Sequence, residues 1–428
     1  MTAQMVGANP ATIRSTVEDL LRILADCDGW GYDTYDTRIG PVYLWLYRRR
    51  NSNRFAELAM RSLYAVELLA PITFRRIRGI RPTWDPMGNS YRAGAHLALA
   101  GIEDREAHLK AARTILDAVV AKAVGEPGFR GFALGFPCIT GSYKIWPTNI
   151  PVSHYTLRVA RMLLRYEQAA RDGRYRTMLD ENIRFLCDKL PWVEHGGMLG
   201  VGYHPGDPLQ VINIWADVAS VLASYDQTFA IDTHHTQAVR LAQSVLAHQL
   251  PDGTWPYFAS WQRPPGGVDN THTAMVLGAL ADLALCYPVA LRTCVRASLE
   301  QGTVKWIEMF FAESSGRFWN SIDHRADAYT VCLGDAIYAN LRLTDPALEL
   351  SATLVNRLKT LSATIISWSL QHLKLSTGRF CERRLGSWRF SVQSVRSFDG
   401  LVADSLALYW ATNRSGSAKN HNLWTAHP

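Results

Sequence analysis

Thr271-His272-Thr273-Ala274-Met275-Val276-Leu277-Gly278-Ala279-Leu280 is the stretch that decides the fold. It carries no Asp, Glu, Lys or Arg and keeps small residues on every side of a helical period. A surface helix reserves one face for water, whereas a helix this apolar all round is buried on more than one side. Tyr91-Arg92-Ala93-Gly94-Ala95-His96-Leu97-Ala98-Leu99-Ala100 has much the same character. Helices of this kind begin near Asn89, Val152, Leu209, Asn270, Arg325 and Asp399, roughly 55 to 75 residues apart, a spacing suited to a repeated helical hairpin. Ordinary amphipathic patterns run through Thr12 to Leu24, Arg54 to Leu69, Arg105 to Ala123, Tyr175 to Leu190, Asp232 to Gln249, Val289 to Phe311 and Leu348 to His372. An outer helix, a long loop and an inner helix make one unit. About six units predict an all-α protein, an (α/α)6 toroid of helical hairpins, with an open solenoid as the alternative arrangement. In a closed ring the inner helices run parallel, and the loops before them share one face. The expectation is a single toroid domain over residues 1–428, with an N-terminal helix within 1–28 and a polar tail at 413–428 that frays.

Composition agrees with a globular chain. Of its 428 residues 48% are apolar and 19% charged, enough for a sizeable core. Seven scattered cysteines, odd in number and without a C-x-x-C pair, argue against a disulfide framework and a structural zinc site. Neither metal nor cofactor is expected: His204 with Asp207, or Asp323, His324 and Asp327, are ligand types without diagnostic spacing. The first ten residues show no basic region followed by an apolar run, and no stretch of 18 or more uncharged apolar residues occurs. A cytoplasmic protein without a transmembrane segment is the expectation. The net charge of +7 comes with arginine clusters at Arg48-Arg49-Arg50, Arg75-Arg76-Ile77-Arg78 and Glu382-Arg383-Arg384. No nucleic-acid recognition motif accompanies them, so the partners expected are an anionic substrate or, peripherally, an anionic membrane surface.

The loops before the inner helices hold the chemistry. The first spans Gly29 to Arg38, with Asp33, Tyr35 and Asp36. The second holds Trp84 and Asp85, then Asn89, Tyr91 and Arg92. The third runs Ser142-Tyr143-Lys144-Ile145-Trp146-Pro147-Thr148-Asn149 to His154. The fourth contains Tyr203, His204, Asp207 and Gln210, with Asn213 a turn later. The fifth carries Trp255, Tyr257, Asp269, Asn270 and His272, and the sixth Asp323, His324, Arg325 and Asp327. An aromatic platform followed by a carboxylate or amide at a helix start therefore recurs. Any one such residue has a plainer reading: Asp269 or Asn270 as an N-cap, Trp255 as a wedge between hairpins, His272 as a core histidine. Convergence of the loops on one cavity favours the functional reading. Sugars stack their C–H faces on Trp and Tyr, and their hydroxyls need paired donors and acceptors. Parallel helix N-termini favour anionic groups.

Several of these residues fall in motifs that resemble toroid proteins encoded in bacterial polysaccharide-biosynthesis clusters. The motifs are G-Y-D-x-Y-D at Gly31 to Asp36, G-Y-x-P-G-D-x-x-Q-V-x-N at Gly202 to Asn213, D-G-x-W-x-Y at Asp252 to Tyr257, and D-N-x-H-T at Asp269 to Thr273. That family is similar to glucuronyl epimerases and to squalene-cyclase and prenyltransferase repeats. This chain departs from it in having Thr271, where Phe is usual, and His204, where Thr is common. The resemblance implies a toroid working on bacterial glycans and transfers no catalytic residue.

The leading expectation is an epimerase or lyase acting on a uronate-containing or lipid-linked bacterial glycan. Both reactions remove the proton next to a carboxylate and need a base, an acid and cationic or hydrogen-bonding groups for the enolate. Tyr203, His204, Asp269, His272 and Asp36 are the catalytic candidates. The substrate-binding candidates are Asp33, Tyr35, Trp84, Asp85, Arg92, Trp146, Asn149, Asp207, Gln210, Asn213, Trp255, Tyr257, Asn270, Asp323, His324 and Arg325, with Arg92 and Arg325 as the cations. A helix start lowers a histidine's pKa, so His272 is expected neutral and Asp269 ionised. Two other functions compete. Gln249 to Trp255 fits the Q-x-x-x-G-x-W pattern of terpenoid-cyclase repeats, though the chain lacks a D-x-D-D acid motif. A non-catalytic glycan-binding protein would need no acid or base.

Overall fold

The computed structural model describes residues 9–139, 145–261 and 267–414. Ser142-Tyr143-Lys144, and the tail beyond residue 414, lie outside the described residues. The first hairpin joins α1 (Pro10–Asp26) to α5 (Pro86–Leu99) across an insertion of three helices, α2 (Pro41–Arg49), α3 (Arg54–Leu69) and α4 (Pro71–Ile77). Then follow α6 (Arg105–Val120) with α7 (Ser153–Ala170), and α8 (Arg176–Arg184) with α9 (Ile212–Phe229). The last three hairpins are α10 (His235–Ala247) with α11 (Asn270–Cys286), α12 (Pro288–Phe310) with α13 (Thr330–Leu343), and α14 (Ala352–His372) with α15 (Leu401–Arg414). Each inner helix packs on the next from α5 through α7, α9, α11 and α13 to α15, and α15 packs back on α5. The ring is closed, and the chain is an (α/α)6 toroid.

The inner helices bury nearly their whole circumference, as the small-residue runs predict. In α9 the buried positions include Ile212 to Ala223 without a break. Gly94 shows why small residues are needed where three helices meet. A Cβ there would stand 2.6 Å from Asp404 Oδ1 and 2.7 Å from Met162 Sδ. The centre of the ring is filled by charge. Arg158, Arg161 and Arg165 project from α7 towards aspartates on the facing helices. Arg165 Nη1 lies 2.9 Å from Asp404, Arg161 Nη2 3.1 Å from Asp217, and Arg158 Nη2 3.5 Å from Asp335. Arg342 and Tyr338 close on Asp282. Removing one member of such a set strands a buried charge, so the network fixes which helices face one another.

The loops before the inner helices are more ordered than their composition suggests. Short antiparallel hairpins brace them, pairing Trp30–Gly31 with Thr83–Trp84 and Met198–His204 with both Trp192–His195 and Asp207–Gln210. His204 pairs with Asp207 across Pro205-Gly206, and Gly206 has φ +69°. A turn with proline at its second position and a left-handed third residue requires glycine there, which accounts for the P-G-D part of that motif. The amphipathic run Arg54 to Leu69 is helical as α3, but it stands in the insertion and not among the outer helices.

Candidate functional site at the N-terminal mouth of the ring

The first loop is held by two buried ion pairs. Asp33 takes Arg396 Nε at 2.6 Å and Nη2 at 2.8 Å, and it also accepts the Tyr35 amide at 2.8 Å. Asp36 accepts Arg75 Nε at 2.8 Å on one oxygen and the Asp33 amide at 2.9 Å on the other. Both Asp36 oxygens are thus engaged, and burial, against the opposing Arg75 charge, lifts this carboxyl to about 7. The Arg396 guanidinium lies by the Tyr35 and Tyr155 rings at 5.3 and 5.6 Å, its charge matched by Asp33.

Asp269 caps α11 through the His272 amide at 2.9 Å, and its other oxygen lies 2.6 Å from His272 Nδ1. Tyr257 stands edge-on to the His272 ring, centroids 4.5 Å apart, and burial raises the pKa of the neighbouring Tyr203 phenol. Burial works against a charge on His272, but the Asp269 carboxylate outweighs it, and the histidine pKa is raised above 6.5. The full charge of Asp269 at 2.6 Å thus opposes the helix start, which alone would lower the histidine pKa as the sequence leads one to expect. Asp269 is lowered below 3.8: burial opposes ionisation, and His272 more than offsets it.

Linkage to stability follows with opposite signs for the two partners. The raised His272 contributes fully below 6.5 and is lost as pH rises through its folded pKa; the lowered Asp269 contributes above 3.8 and is lost as pH falls through its own. Asp269→Asn leaves the burial and removes the counter-charge. Histidine titration by NMR should then move His272 from above 6.5 to below it. An unmoved titration would mean that the pair is not formed in solution.

His154, in the first turn of α7, is shifted the other way. Burial, then Arg158, Arg396 and His272, push its pKa well below 6.5. His154, Tyr203, Tyr257 and His272 all stay partly accessible although protein surrounds them, and the His272 side chain is 35% exposed. All four are therefore within reach of solvent at this end of the ring. Arg158 lies one turn below His154, its Nε buried without a partner. Asp85 caps α5 through the Gly88 amide at 2.7 Å, while its second oxygen is buried and unpartnered, as is the Tyr155 hydroxyl. Burial lifts the Asp85 carboxyl to about 7 and that of Glu382 to about 8.

The remaining candidates divide clearly. His204 stacks on Trp146 at 3.8 Å, and burial lowers its pKa to about 3. Asn270 tethers loops, donating to the Trp319 carbonyl and accepting from Trp306 Nε1. Gln210 accepts from Trp215 Nε1, and Asp207 accepts from the Leu209 amide. Asn213 reaches Met275 Sδ at 3.6 Å. Trp255 bonds to the Val245 carbonyl and fills the space over Gly302, while Gln249 ties Gly253 to Ser298. The Q-x-x-x-G-x-W element is thus a clamp between α10 and α12. Trp84 pairs with Trp30 in the bracing hairpin. Arg92 sits beside Cys27 and Asp28 at the end of α1, and Asn149, Asp323, His324 and Arg325 are exposed. The mouth therefore gathers Asp33, Tyr35, Asp85, Tyr203, Tyr257, Asp269 and His272. It also holds Tyr155, Arg158, Glu382 and Arg396, which no motif marks. Among the described residues no group of three His, Cys, Asp or Glu is placed to hold a metal ion.

No protein-family profile matches the chain, and no curated protein matches it by sequence. Solved structures do. A GH76 α-mannanase from Bacteroides thetaiotaomicron is similar with a TM-score of 0.59 at 11% identity, over 78% of this chain and 87% of that one. Cellobiose 2-epimerase from Spirochaeta thermophila gives 0.55 at 14% identity, over 78% and 88%. A polysaccharide lyase gives 0.55 at 8% identity, over 78% and 90%. At such identities the likeness establishes the (α/α) toroid fold. The three names belong to a hydrolase, an epimerase and a lyase, so the reaction has to be argued from the site.

Proposed function

We propose that this protein is a carbohydrate-active enzyme that removes the proton next to the carboxylate of a uronate-containing glycan, free or lipid-linked, as an epimerase or a lyase. The observation that carries the reading is the pair of histidines in the first turns of α7 and α11, pushed apart in pKa at one mouth. Two titratable groups driven in opposite directions make an acid and a base available at the same pH. His154, neutral and with a ring free to accept, takes the proton. His272, whose hold on a proton Asp269 strengthens, returns one on the other face of the sugar or gives it to the leaving oxygen. Arg158 Nε, buried without a partner, is a donor available to the substrate carboxylate and to the enolate that forms from it. Tyr35, Tyr203 and Tyr257 supply faces for the ring. Glycan-acting enzymes among the structural neighbours support the general class. A terpenoid substrate would need an apolar wall, and this wall is titratable.

An anionic ligand brings a salt dependence. Calorimetric affinity for an oligouronate should fall as salt is raised from 0.05 to 0.5 M, since screening shortens to a few Å. Equal affinity for the uncharged oligosaccharide at both salts would reject an anionic substrate.

A further inference from the structure

Most helices of this toroid bury an apolar stripe, but α3 does not. Over Arg54–Leu69 its only buried residue is Ala56. Phe55, Leu58, Ser62, Ala65, Val66 and Leu69 share one face at helical spacing, with Arg54 and Arg61 along its edge, and all are exposed. Val42 on α2 and Ile77 on α4 extend the patch, and together with Phe55, Leu58, Val66 and Leu69 they are between 49% and 80% exposed. Trp45, on the same face of α2 as Val42, is also exposed, with Arg49 stacked over it at 4.8 Å, whereas Tyr64 is on the opposite side of α3, where it meets Arg383. Isolated exposed apolar side chains are ordinary, whereas a contiguous patch on an unpartnered helix marks an interaction surface.

The charge says what covers it. Residues 41–81 hold nine of the 45 basic residues, all arginine, and two of the 38 acidic ones, so 36 of each sign remain elsewhere. The whole net charge of +7 is concentrated here. A second copy would bring an equal positive charge against this face, and a nucleic acid would leave the aliphatic face unused. We propose that α2, α3 and α4 dock the protein on an anionic lipid bilayer, the aliphatic face entering the headgroup boundary and the arginines pairing with lipid phosphates. The aromatic residues suit the same depth, where an apolar ring and a polar edge are both accommodated.

The insertion is tied to the mouth. Arg75 on α4 binds Asp36, and Arg78 donates to the Thr37 carbonyl at 2.7 Å. A bilayer on this surface therefore lies beside the N-terminal mouth of the ring, within reach of a glycan still attached to a lipid. Docking itself does not depend on the reaction performed there.

The test is co-sedimentation of the intact protein with phosphatidylcholine vesicles and with vesicles of phosphatidylcholine and phosphatidylglycerol at 3:1. Binding to the anionic vesicles is expected to be at least tenfold tighter and to weaken with salt. Leu58→Glu with Leu69→Glu should reduce it at least tenfold, with circular dichroism and thermal midpoint unchanged, because these side chains are 65% and 70% exposed. Arg48→Glu with Arg49→Glu, a charge change alone, should do the same and covers the case in which the first variant misfolds. No binding, equal binding to both vesicle types, or unchanged binding by both variants overturns the proposal. So does a wild-type dimer that the leucine variant splits while vesicles bind neither form, or capture of a DNA duplex by a protein that ignores vesicles.

Discussion

His154→Gln is expected to lower the rate of proton exchange at the carbon bearing the uronate carboxylate by about 10²–10⁴-fold, the usual contribution of a positioned acid or base. The substitution should leave the fold intact, because glutamine keeps a polar side chain of similar reach at a partly accessible position. His272→Gln has a different signature. In the direction in which His154 takes the proton, abstraction continues and deuterium enters with retention, while inversion or elimination fails. Two residues of merely structural importance would not separate exchange from turnover. Equal loss of both in both variants, with a lowered thermal midpoint, would reduce the histidines to packing residues.

Asp33→Asn is expected to destabilise the protein by about 3–5 kcal/mol, since it strands a buried guanidinium. The pair is nearly inaccessible, with side-chain exposures of 8% for Arg396 and 4% for Asp33, and its two hydrogen bonds join residues 363 positions apart. Urea unfolding should show a lower midpoint with an unchanged slope. Adding Arg396→Met to Asp33→Asn should recover much of the loss, because the uncompensated charge leaves with the arginine. A single variant within about 0.5 kcal/mol of wild type, the scale of an ordinary surface substitution, would mean that the pair is solvated.

These two sites also mark where the sequence is legible and where it is not. The ring is legible because burial on every side demands small residues, and runs such as Thr271 to Leu280 can satisfy little else. The Asp269–His272 pair is legible as a neighbourhood because both residues lie within one helical turn. Its protonation is not, since a side-chain rotamer decides whether the carboxylate or the helix start dominates. Asp33 and Asp36 stand out in their motif, but Arg396 comes from a remote segment without a pattern of its own, and the cluster that holds Arg75 does not say which of its arginines turns inward. Periodicity likewise reveals the apolar stripe of α3 without saying whether anything covers it. Sequence alone counts that helix with the outer ring; the structure leaves its stripe facing solvent. The hairpin turn at Pro205-Gly206 is written in the motif, whereas the stacking of His204 on Trp146 depends on a strand pairing that no local signal announces.

The central claim is that solvent protons reach the carbon beside a uronate carboxylate at the mouth of this ring. The direct measurement is proton NMR of uronate oligosaccharides incubated with the wild-type protein in deuterated water. Loss of the C-5 proton signal, slowed by His154→Gln and absent without protein, is the predicted result. A glycan that is turned over with its C-5 proton fully retained would contradict the account.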